Sequence, residues 1–166
     1  MREIIKPEPF PLVSSFNERL RKFDPIISKM LAKKKEDRYR SIEEFIRDLN
    51  LFKQRENKSM LLSEIESILE KISKSREIGE IKMLKKELLE KICDLAISSA
   101  KLDEKSELLG YLEKLKDYTE DENLKRNIDD LTEQSILMIR ENITIDQDFI
   151  NILENVVNRV RESYVP

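Results

Sequence analysis

A chain of 166 residues, 39% hydrophobic and 39% charged, carries 31 Lys+Arg against 34 Asp+Glu for a formal net charge of −3; at roughly 100–200 residues per domain it makes one medium domain, or a small one with an appendage. Two glycines and five prolines, four of them before residue 26, are too few turn formers for a multi-stranded β protein, so the fold class is all-α. The lack of histidine excludes Ser-His-Asp and Cys-His catalysis, His-containing zinc sites and imidazole switching.

Residues 1–23 hold Pro7, Pro9 and Pro11 among Phe10, Leu12 and Val13, which predicts an extended, apolar lead-in. A helix opens at Asp24-Pro25, an N-cap acceptor followed by proline at the first helical position, and carries Ile26, Ile27, Met30 and Leu31. The run Lys33–Arg40 interrupts the pattern. Ser41 with Glu44 forms a capping box that restarts it, and Ile42, Phe45, Ile46, Leu49 and Phe52 follow at helical spacing.

From about Asn57 the pattern predicts five amphipathic helices. The first carries Leu61, Leu62, Ile65, Ile68, Leu69 and Ile72, with Gly79 placed to stop it. The second carries Ile81, Leu84, Leu88, Ile92 and Leu95; the third, from about Asp103, carries Leu108, Leu112, Leu115 and Tyr118. The fourth opens with the box Thr119-x-x-Glu122 and carries Leu124, Ile128 and Leu131; the fifth opens with Thr144-x-x-Gln147 and carries Phe149, Leu153, Val156, Val160 and Tyr164. The stripes are wider than a coiled-coil seam, so the helices face a shared core, and short connections make neighbours antiparallel. Helix starts near residues 59, 103 and 146 also give a repeat of about 44 residues, in the range of HEAT-like arrays. Their sequences barely resemble each other, which favours a five-helix bundle over a short array. The expectation is a helical bundle of about seven helices: residues 1–53 with two of them, and residues 57–166 as the bundle appendage.

Cys93, the one cysteine, lies in an apolar pattern and reads as a buried structural thiol of a cytosolic chain. Apolar runs such as 135–139 fall far short of the ~20 residues that span a bilayer, and residues 1–7 hold no signal-peptide core. The expected localisation is cytoplasmic, without membrane attachment. Three glutamines among so many Lys and Glu fit a thermophile's composition.

Pro9-Phe10-Pro11-Leu12-Val13-Ser14-Ser15, then Phe23-Asp24-Pro25-Ile26-Ile27-Ser28-Lys29-Met30-Leu31-Ala32-Lys33, then Glu36-Asp37-Arg38-Tyr39-Arg40-Ser41-Ile42-Glu43-Glu44-Phe45 and Asp48-Leu49 form a connected pattern. Over residues 7–52, less than a third of the chain, it resembles the end of the catalytic domain of bacterial and archaeal-type Ser/Thr protein kinases. The resemblance implies the last two helices of the kinase C-lobe and the loop that leads into them. Lys35 stands where the family has proline and Lys34 where it has aspartate, which implies a looser loop. On this resemblance the chain opens inside a domain, as an excised piece or a truncated reading frame would.

The parts that perform kinase chemistry are missing from these 166 residues. Gly79 and Gly110 cannot make a phosphate-covering loop, no histidine exists for an H-R-D loop, and no D-F-G occurs; Asp148-Phe149-Ile150 is the nearest string. The chain is therefore expected to be no enzyme by itself, with no catalytic residue, cofactor or metal. The resemblance pairs Arg38 with the glutamate of an A-P-E motif that this sequence lacks. Arg38 is left to find another acid, turn to solvent as an ordinary loop arginine, or take a carboxylate from another chain. The helices that carry Met30, Leu31, Phe45 and Leu49 lack the larger C-lobe helices they would pack on, and those faces need cover. Together with Arg38 and Tyr39 they are the candidate interface residues, and partial cover by the C-terminal helices plus self-association or a protein partner is expected.

The basic run Lys33-Lys34-Lys35 is offset by Glu36 and Asp37 and has only Tyr39 to stack, so a solvated loop is favoured over nucleic-acid binding. Carboxylates such as Glu64, Glu66, Asp129 and Asp130 alternate with Lys and Arg and read as a solvated face. Two readings follow: a non-catalytic kinase C-terminal region with a helical regulatory appendage, or a stand-alone helical protein-interaction module.

Overall fold

The computed structural model describes residues 9–164, so Pro7 and the reading of residues 1–7 lie outside them. Among the described residues there are six α-helices and no strand: α1 (Asp24–Met30), α2 (Ile42–Lys74), α3 (Ile78–Lys101), α4 (Lys105–Lys116), α5 (Glu122–Arg140) and α6 (Gln147–Ser163). The all-α expectation holds. The chain divides into two compact units, Met1–Lys53 and Gln54–Pro166.

The first unit is less extended than its prolines suggest. Val13–Ser15 and Glu18–Phe23 form 3₁₀ turns, the second capped by Asn17, whose Oδ1 accepts from the Arg19 N–H at 3.1 Å. Asp24 does not cap α1. Its carboxylate accepts from the Ser14 N–H at 3.0 Å and the Ser14 hydroxyl at 2.6 Å, which holds its pKa below the usual value. The box at Ser41 is half formed: Ser41 Oγ accepts from the Glu44 N–H at 3.3 Å, but Glu44 reaches back one residue further, to the Arg40 N–H at 2.7 Å.

The two helices predicted on either side of Lys53–Lys58 are one helix, α2. Its middle, Lys53-Gln54-Arg55-Glu56-Asn57-Lys58, has no glycine or proline, and strong helix formers outnumber the one weak member, Asn57. The charged stretch here is continuous helix, not a linker. Nor does Gly79 end a helix. It lies in the first turn of α3, after α2 has stopped at Lys74.

In the second unit, α3 packs on α4 and α6, and α5 packs on α4 and α6, so the four helices close a ring instead of opening into an array. Leu89, Cys93, Leu108, Leu112, Leu124, Ile128, Leu153 and Val157 fill its centre, and Ile68 of α2 joins the same cluster. Arg161 of α6 ties to α3, with Nη2 2.5 Å from Asp94 and Nε 3.2 Å from Glu90; Lys101 and Glu154 add a second α3–α6 pair at 2.8 Å.

Helices α3 and α5 end without glycine. Asp103 and Asn142 take the left-handed backbone, at φ 58° and 54°. The Glu104 N–H then bonds the Ser99 carbonyl at 2.9 Å, and the Ile143 N–H bonds Met138 at 2.9 Å. These are the six-to-one bonds of Schellman ends, with Asp and Asn in the place glycine usually holds. Asp103 also accepts from the Ile145 N–H at 2.9 Å and meets Lys105 at 2.8 Å, clipping the α3–α4 turn to the α5–α6 turn.

Candidate protein-docking face

Within the first unit, α1 and the start of α2 are joined by a lysine. Lys29 Nζ lies 2.9 Å from Glu44 and 3.1 Å from Asp48, both on α2, and 4.3 Å from the centroid of the Tyr39 ring. Hydrogen bonds to Glu44 and then Asp48 raise its pKa. Tyr39 meets Phe45 edge-on at 5.3 Å, and Phe23 packs on Phe52 at 5.1 Å. One side of this helix–loop–helix is therefore closed by rings and a charge clasp.

Other apolar side chains are uncovered. Met30 and Leu31 at the end of α1 are each 44% exposed, and Ile42, Ile46 and Leu49, at one-turn spacing on a single face of α2, are exposed as well. Phe45 and Tyr39 are half-buried. Arg38 is exposed, and its Nε donates to the Ala32 carbonyl at 2.6 Å. Of the six candidate residues, Tyr39 and Phe45 meet directly.

Lys29, which joins the two helices, was not among the residues singled out from sequence. Neither was Lys58 of the second unit, buried to 7% exposure and bonded to Glu107 at 2.6 Å and to Glu104. Burial alone would depress its pKa, but the two carboxylates outweigh this and raise it. A signal existed: the stripe Leu61, Ile65, Ile68, Ile72, extended back by three residues, lands on Lys58. A charge on an apolar stripe is a charge that needs partners.

Among the described residues, no group of three or more His, Cys, Asp or Glu could hold a metal ion, and no helix is long and apolar enough to cross a membrane. Comparison with protein families, curated proteins and solved structures yields no match to this chain.

Proposed function

We propose that this chain is a non-catalytic C-terminal region of a Ser/Thr protein kinase, with the first unit completing the catalytic lobe and the second serving as a helical, protein-binding appendage. The observation that supports this reading is the uncovered face of Met30, Leu31, Ile46 and Leu49 on a helix–loop–helix whose other side is already closed. In this reading the larger C-lobe helices cover that face. Arg38, exposed here and bonded to the Ala32 carbonyl, takes the glutamate of an A-P-E motif, and phosphoryl transfer belongs to residues outside this chain.

The DNA preceding the codon for Met1 tests it. An open frame encoding H-R-D, D-F-G and A-P-E in that order is expected, and a frame with none of them overturns the reading. In the joined polypeptide, Arg38→Met should lower the unfolding free energy by about 3–5 kcal/mol, the cost of stranding one half of a buried ion pair. A second reading, a self-contained helical interaction module without kinase kinship, draws support from α2, which continues unbroken past the division after Lys53.

A further inference from the structure

We infer that residues 54–74 of α2 form a strap that detaches from the bundle as a unit and uncovers an apolar groove on α3 and α4. Ile68 is the only apolar side chain of α2 that is buried, whereas α3 and α6 bury apolar residues along their whole inner faces. Between the strap and the bundle opens a solvent-accessible pocket of about 340 Å³, walled by Ile65 and Leu69 on one side and by Leu88, Ile92, Tyr111 and Tyr118 on the other. A helix that borders an open pocket of that size forgoes part of the close packing that holds α3–α6 together.

Two charge latches tie it to α3 and α4. Lys58, near the start of the strap, reaches Glu104 and Glu107 at the head of α4. Six residues further on, Glu64 meets Lys91 of α3 at 2.5 Å. Both latches reach carboxylates or ammonium groups that keep partial access to water, so screening weakens them. Once free, residues 54–74 lose the tertiary packing that supplies most of a helix's stability in a protein, and they fray. Detachment is therefore visible as loss of backbone hydrogen bonds in residues 59–74 alone.

Hydrogen exchange on the full chain, read helix by helix, tests the strap. In low salt the amides of residues 59–74 should exchange on the order of tenfold faster than those of α3–α6. Raising the salt from about 0.1 M to about 1 M, which shortens the screening length from about 10 Å to about 3 Å, should accelerate 59–74 further and leave α3–α6 unchanged. Lys58→Met should do the same in low salt. Protection of 59–74 equal to that of α3–α6 overturns the inference, as does indifference to salt or a uniform acceleration of every helix by Lys58→Met. Should the variant fail to fold, the salt series on the unaltered chain decides alone.

Discussion

Cys93 is wholly enclosed by the α3–α6 core, and desolvation pushes its thiol up to about 12, with Arg161 pulling the other way. The thiolate is the reactive form. Native protein at neutral to mildly alkaline pH should therefore leave Cys93 unmodified by iodoacetamide, while denatured protein is alkylated within minutes; rapid native labelling, followed by mass spectrometry, would contradict its burial. Asp103 makes the opposite case. Burial alone would raise its pKa, but Lys105 and the Ile145 N–H outweigh burial and leave it below the usual aspartate range. A carboxylate with a depressed folded pKa adds stability that is fully present above its unfolded pKa and is lost as pH falls through the folded one. The denaturation midpoint should accordingly drop as pH descends below about 4, and Asp103→Asn, which keeps an acceptor for Ile145, should flatten part of that drop. An unchanged acid limb in the variant would remove Asp103 from the account.

Among the elements, the buried stripes of α3–α6 were legible in the sequence, whereas the unbroken middle of α2 and most helix ends were not. The stripes Leu108-Leu112-Leu115 and Leu153-Val156-Val160 are buried as their spacing requires, since a 3.6-residue period leaves one choice of inner face. Caps depend on which of several neighbouring acceptors the chain turns toward. Thr119 and Thr144 each begin a capping box, yet α5 is capped by Asp121, which accepts from Asn123 and Leu124, and α6 by Asp146, which accepts from Phe149 at 2.8 Å. Asp146→Ala should then cost about 0.5–2 kcal/mol in chemical denaturation, and Thr144→Ala well under that; the reverse order would restore the sequence-based cap. Asp103 and Asn142 were equally hidden as helix stops, because the left-handed position normally falls to glycine and both glycines lie inside helices, Gly79 in α3 and Gly110 in α4. Leu112→Ala, at a fully enclosed position of α4, should cost about 2–5 kcal/mol; a loss under about 1 kcal/mol would mean that the bundle is not close-packed there.

For the whole molecule, the sequence carried the all-helical class through composition and period, and it carried the apolar faces of α1 and α2 as residues in need of shelter. It could not say how those faces are treated, because shelter is a matter of what packs against them. Met30, Leu31, Ile42, Ile46 and Leu49 stay exposed, and in water such faces draw molecules together. In the proposed reading this face is a docking surface. Sedimentation equilibrium of the purified chain, from micromolar to millimolar concentration, tests it most directly. Reversible association is the expected result, abolished by the double variant Met30→Glu, Leu49→Glu with helicity and thermal midpoint unchanged. A chain that sediments as a monomer at every concentration, or a double variant that associates as the original does, would contradict it.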